Sequence, residues 1–202
     1  MPERFETIRA TVLHRELTGE SHFRIHTFDA VKGGCRLLFR YTKGKRGTTP
    51  PDLFDFGEFV IEPAKGGSWF VKEFRLERGR LAIPKKYDVF QYACRFIEIF
   101  RRNTEHIHEA EGPAEVLDKA LDAFENGIRP DVTLFKSLYL LARSEGFPVK
   151  EQFIADLPSS GRALAAELLN RPLSEQTAPP NKVEPLIHRI QAWLSGHADF
   201  VI

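Results

Sequence analysis

The sequence is poor in sulfur, with two cysteines, Cys35 and Cys94, and a single methionine among 202 residues. Two cysteines make neither a disulfide framework nor a Cys-x-x-Cys knuckle. A reducing cytoplasm is therefore the expected setting. No apolar run approaches the roughly 20 residues that a membrane-spanning helix needs. The opening MPERFETIRA is charged and has no apolar h-region, so no signal peptide is expected. The usual catalytic templates are missing too. There is no GxSxG elbow, no GxGxxG after a strand and no Walker loop, and the chain is expected not to be an enzyme. Acid pairs such as Glu109 and Glu111 have no pocket-forming context. The seven histidines do not fall at zinc-ligand spacings. His106 and His108, among Glu105, Glu109 and Glu111, read as a polar loop between helices, while His14, His22 and His26 lie on or beside strands. Neither a metal nor another cofactor is expected.

What is present is a core of ordinary size, since hydrophobic residues make up 42% and charged residues 28% of the chain. The net charge of +1 conceals an asymmetry. Residues 1–80 carry 15 Lys and Arg against 11 Asp and Glu, a net +4, and the remainder carries 14 against 17, a net −3. A basic front half points mildly to a polyanionic partner.

The same division appears in the periodicity. Segments near 6–15, 22–29, 35–43, 53–62 and 68–76 are rich in β-branched and aromatic residues, with Gly or Pro between most of them. In the second, Phe23, Ile25 and Thr27 alternate with Arg24, His26 and Phe28. In the third, Leu37, Phe39 and Tyr41 point one way, and Arg36, Leu38 and Arg40 the other. Five short strands with no crossover helix predict a small barrel of the OB type over residues 1–80.

Helical spacing takes over in residues 81–202. Phe90, Ala93, Phe96 or Ile97, and Phe100 recur between 84 and 102. Val116, Leu117, Ala120, Leu121 and Phe124 form a stripe over 113–126 that Gly127 ends. Leu134, Phe135, Leu138 and Leu141 form another over 131–144, ending at Gly146. A shorter helix fits 159–170, with Ser159 or Ser160 as its cap. The stretch 171–182 reads as a polar surface connection, and a last helix over 183–195 carries Leu186, Ile187, Ile190, Trp193 and Leu194. These stripes read as core. The fold class is thus α+β in two domains, an N-terminal five-stranded OB barrel and a C-terminal all-α domain.

The stretch KGGCRLLFRYTKGKRG, residues 32–47, holds Lys32, Arg36, Arg40, Lys43, Lys45 and Arg46, with no acid between Asp29 and Asp52. Arg36 and Arg40 are four apart and share a strand face. Lys43, Lys45 and Arg46 follow in a glycine-containing loop. Such a row suits a phosphate backbone, because cations displace condensed counterions without reading a base sequence. Phe28, Phe39 and Tyr41 would offer stacking faces if exposed. The alternative is a solvated strand whose charges keep a sheet edge from aggregating. Cys35 lies on the same strand, where neighbouring cations would lower its pKa, although strand cysteines are usually packed.

The order of these features resembles a known family. Val12-Leu13, the Gly19-Glu20-Ser21 step, the strand from Phe23 to Phe28, Gly33-Gly34, the basic Lys43-Gly44-Lys45-Arg46 and the Pro51–Val60 strand resemble the N-terminal domain of the bacterial recombination mediator RecO. YDVFQYACRFIEIF is similar to that family's first long helix, LFKSLYLLARSEGFPV to its helix ending in a Gly-Phe turn, and SSGRALAAELLNRPLSEQ to its terminal helices. Many members carry a zinc ribbon with two Cys-x-x-Cys pairs after that turn. Here Phe147-Pro148-Val149-Lys150 runs straight on and no cysteine follows Cys94, which is consistent with a peripheral insertion reduced to a loop.

The resemblance implies a cytoplasmic, non-enzymatic factor of DNA repair and recombination in the DNA damage response. Such a factor binds single-stranded and possibly double-stranded DNA, anneals strands, and loads the recombinase with RecR and the single-strand-binding protein SSB. By position it implies DNA contacts at Lys32, Arg36, Arg40, Lys43, Lys45 and Arg46, with Arg24 and Arg15 as further candidates. It also implies that the helical domain receives the SSB tail. Two other readings stand beside it. One is a shortened RecO-like paralogue acting mainly as a protein-interaction module. The other is an unrelated OB-fold protein that binds RNA.

Overall fold

Alternation of apolar and polar residues builds the first unit. The structure is a computed structural model that describes residues 5–41, 49–107, 109–197 and 200–202. The chain divides into two compact units, Met1–Arg80 and Leu81–Ile202. In the first, β1 (Glu6–Thr18), β2 (His22–Asp29), β3 (Gly33–Arg40), β4 (Phe56–Pro63) and β5 (Trp69–Arg78) close into a barrel in the order β1-β2-β3-β5-β4. Neighbours run antiparallel except β3 and β5, where Leu37, Leu38 and Phe39 pair in parallel with Trp69, Phe70 and Val71. That order and its one parallel pair are those of the five-stranded OB barrel.

The core is what one side of each strand supplies. Ile8, Ala10 and Val12 of β1, Ile25 of β2, Cys35, Leu37 and Phe39 of β3, and Phe59 and Ile61 of β4 fill the interior. Phe23, Trp69, Val71 and Phe74 pack partly against them. The Phe59 and Phe74 rings lie 4.7 Å apart between centroids. At Gly57 a Cβ would stand 2.5 Å from the Arg75 carbonyl oxygen and 2.7 Å from the Phe74 ring, so β4 and β5 approach closely there because no side chain intervenes.

Several strand ends differ from expectation. β1 continues to Thr18, β4 begins only at Phe56, and β5 extends to Arg78. β3 starts two residues earlier than the pattern suggests and ends at Arg40. Tyr41 therefore lies past the strand, its ring edge-on to Phe23 at 5.6 Å, rather than in the inward row with Leu37 and Phe39. Residues 42–48, with Lys43, Lys45 and Arg46, lie outside the described residues.

The second unit consists of α1 (Tyr87–Arg102), α2 (Glu111–Asn126), α3 (Pro130–Ser144), α4 (Ser159–Asn170) and α5 (Pro180–His197). α1 buries Val89, Ala93, Phe96, Ile97, Ile99 and Phe100, so its apolar face is centred on Val89 and Phe90 is only half-buried. Gly127 ends α2 in the left-handed conformation at φ 67°, which suits glycine. α4 begins at Ser159, but its cap is the extended Pro158 and no side chain bonds the helix start, so neither Ser159 nor Ser160 acts as the cap. A π-type turn at Lys150–Ile154 follows the Phe147-Pro148 junction, burying Val149 and Phe153. The 171–182 connection is less peripheral than its composition suggests. Gln176 is buried and donates to the Leu168 and Arg171 carbonyls, and α5 already starts at Pro180.

Asn103, fully buried just after α1, closes this unit. Its side-chain amide donates to the Ile99 and Val201 carbonyls at 2.6 and 2.9 Å and accepts from the Val201 amide at 2.8 Å. Among the described residues no helix is long and apolar enough to cross a membrane.

Candidate nucleic-acid interface

The strands that put Ile25, Leu37 and Phe39 inside must put their alternate residues outside. On β3 these are Gly34, Arg36, Leu38 and Arg40; on β2 they are His22, Arg24, His26 and Phe28. The antiparallel register sets His22 beside Arg40, Arg24 beside Leu38, and His26 beside Arg36. In-register neighbours share a face, so Arg24, Arg36 and Arg40 surround Leu38 on the outer surface of β2 and β3. All three arginines are exposed, and Leu38 is half-buried. Arg36 and Arg40 are separated by about 13 Å along the strand.

The pairing of these cations is uneven. Arg24 donates to Glu16 at 2.7 Å, as the β1–β2 register allows. Exposed ion pairs of this kind are worth no more than about 1 kcal/mol and are readily exchanged for another anion. The Arg40 side chain has no ion-pair or hydrogen-bond partner among the described residues. His14 of β1 lies edge-on to His26 at 5.8 Å, extending a polar row across the three strands.

The remaining candidates lie elsewhere. Lys32, at the β2–β3 turn, pairs with Glu6 and stands 4.7 Å over the Trp69 ring. Arg15 bonds the Pro51 carbonyl at 3.2 Å and Asp52 at 3.3 Å and lies 5.0 Å over Phe23, so it ties β1 to the β3–β4 connection. The structure thus gathers three of the five described candidates on one patch and sets two apart.

Two of the proposed stacking faces are excluded by burial. Phe39 points into the core at 4% exposure, and Phe28, though on the outward side of β2, is covered to 2%. Position, not residue type, decides this. An aromatic that the sequence reading passed over is instead open. Phe70 of β5 is 38% exposed and pairs in register with Leu38. Its signal was the β5 alternation itself, Trp69 and Val71 inward and Phe70 and Lys72 outward. Lys72 bonds Glu62 at 2.5 Å.

Cys35 faces the interior rather than the cations. Burial, reinforced by Asp29, pushes its thiol up to about 11, against the lowering expected from basic neighbours. Among the described residues no three His, Cys, Asp or Glu side chains converge as a metal site would require.

In the helical unit, a groove of about 490 Å³ is lined by Lys136 and Arg143 of α3, Lys150, and Leu140, Ile154 and Leu169, with no carboxylate in its wall. Lys136 donates to the Arg171 carbonyl at 2.6 Å, and burial lowers its pKa.

No protein-family model matches the chain, and no curated protein sequence matches it.

Proposed function

We propose that the chain is a non-enzymatic, RecO-type DNA-binding factor whose OB barrel holds single-stranded DNA across β2 and β3. One observation carries this reading. OB barrels bind oligonucleotides on the face of their second and third strands, and on this barrel that face presents Arg24, Arg36 and Arg40 around Leu38. Guanidinium groups bind phosphate by paired donors and release counterions as they do so. Annealing and recombinase loading follow from the resemblance of residues 5–150, and belong to the same proposal.

The partners do as well. A wall of Lys136, Arg143 and Lys150 around Leu140, Ile154 and Leu169 suits an acidic segment with an apolar side chain. The resemblance implies that the helical domain receives the SSB tail, and this groove is offered as its place in the same proposal. RecR is included on the resemblance alone.

Titration of a labelled single-stranded oligonucleotide at two salt concentrations tests the DNA part. The proposal expects binding that weakens steeply with salt, with similar strength for unrelated sequences, because phosphate contacts carry no base information. Absence of binding at low salt would overturn it. Binding confined to RNA would favour the unrelated OB-fold reading instead.

A further inference from the structure

Three guanidinium groups around an apolar residue would hold a sugar–phosphate chain, but they leave open where its bases go. The register answers this. Leu38 has Arg24 beside it on β2, Arg36 and Arg40 two positions away along β3, and Phe70 beside it on β5. Leu37 and Phe39 face inward at 0% and 4% exposure, and Trp69 and Val71 pack against the core, so Leu38 and Phe70 must both face outward. Leu38 and Phe70 therefore form a small apolar shelf bordered by cations on β2 and β3.

The side of the shelf toward β4 is electrically quiet. Glu62 pairs in register with Phe70, but its carboxylate is bonded to Lys72 at 2.5 Å. A polyanion approaching the shelf thus meets Arg36, Arg40, Arg24 with its exchangeable Glu16 pair, and a neutralised Glu62. A single strand laid on this face has two chemistries to satisfy, charged phosphates and flat apolar bases, and the patch offers a surface for each.

We propose that Phe70 is a stacking platform for an unpaired nucleobase, with Leu38 as its floor and Arg36 and Arg40 holding the flanking phosphates. This rests on the reading of the barrel as a single-strand-binding unit and adds the residue that distinguishes single strands from duplex. Every base has a π-face, so the platform accepts any sequence. A duplex keeps its bases stacked on one another and offers the shelf only backbone.

The test compares Phe70→Ala and Phe70→Tyr with the unaltered full chain, using a labelled oligothymidine strand and a duplex of equal length. Melting temperature is measured in parallel. Loss of one stacked base should weaken single-strand binding by about 5-fold to about 100-fold in Phe70→Ala. Phe70→Tyr should bind as the unaltered chain does. The salt slope should not change, since no phosphate contact is removed, and duplex affinity should stay within about 2-fold, because only backbone reaches the shelf.

Single-strand binding that survives Phe70→Ala unchanged overturns the platform while leaving the barrel's DNA-binding role intact. Equal losses on single strand and duplex would show that Phe70 shapes the sheet rather than stacks a base, and would also overturn it. If the unaltered chain binds neither probe, the platform and the reading beneath it fall together.

Discussion

The two units deploy their arginines differently. In the helical unit most of them are bonded in place, Arg143 and Arg189 being exceptions among the described residues. Arg95 holds Glu184 at 2.8 Å, Arg101 and Arg102 share Glu98, Arg129 grips the buried Asp131, and Arg171 meets Glu167 at 2.9 Å. Arg101 and Arg102 together hold the Glu98 carboxyl down to about 2. In the barrel, Arg9, Arg15 and Arg75 also have acids within reach, but the Arg40 side chain has none among the described residues, and it sits on the outer face of β3. That face carries Arg36 and Arg40, and β3 itself contributes no carboxylate. A nearly neutral chain can therefore still present a locally cationic surface, because neutrality is reached by pairing elsewhere. The comparison also separates two uses of a guanidinium, fastening one helix to another as Arg95 does between α1 and α5, and standing without a side-chain partner among the described residues as Arg40 does.

The largest effect expected concerns how the barrel is held together. Phe59 is fully buried, its ring tilted against that of Phe74. Phe59→Ala should cost about 3 to 5 kcal/mol, read by chemical denaturation, from lost burial plus the cavity left behind. A loss below about 1 kcal/mol would mean that the closed barrel core is not as described.

The helical unit has its own fastening point, and it is polar. Replacing Asn103 by Ala removes a buried amide that satisfies two carbonyls and one N–H around Ile99 and Val201. Each buried group left unsatisfied costs about 1 to 3 kcal/mol, and the C-terminal carbonyl can recover water, so a total near 2 kcal/mol is expected. Hydrogen exchange at the Val201 amide should accelerate in parallel. Unchanged exchange would show that Asn103 does not hold the terminal residues.

A smaller effect sharpens the view of β3 as two-faced. With the Cys35 thiol pushed up to about 11, it should resist iodoacetamide at pH 8 in the folded protein and react once unfolded. The sign for stability follows. The folded thiol keeps its proton while the unfolded one, near 8.5, loses it, so this contribution is whole below about pH 8.5 and declines as pH rises toward 11. Rapid alkylation at pH 8 would place Cys35 among the cations rather than behind them.

Much of this was legible in the sequence because it depends on period. Strict alternation in Cys35–Arg40 dictates which side of β3 is buried, and the 3.6-residue stripe of Leu134, Phe135, Leu138 and Leu141 dictates the face of α3. Ends were harder to read. Tyr41 fits the alternation but falls beyond the last paired residue, and a prolyl cap at α4 leaves no side-chain signature.

The candidate site was legible only in part, since cross-strand neighbours are not sequence neighbours. Nothing in Phe70 itself announces that β5 pairs in parallel with β3 and sets its ring beside Leu38. Phe28 and Phe39 show the converse, aromatics close in sequence to the basic run that packing removes from the surface. Arg15 and Lys32 belong to the same basic half but are taken up by Pro51, Asp52, Glu6 and Trp69.

The central claim is that the cations of β3 contact phosphate, and the salt dependence of binding measures it most directly. For an Arg36→Ala, Arg40→Ala double variant, the slope of log affinity against log salt on single-stranded DNA should flatten by about 1.4, or about 0.7 per phosphate contact. Binding should weaken by a similar factor for every sequence, and the melting temperature should stay close to that of the unaltered chain, as exposed side chains contribute within about 0.5 kcal/mol. An unchanged slope and affinity would contradict the account and leave β3 a merely solvated face.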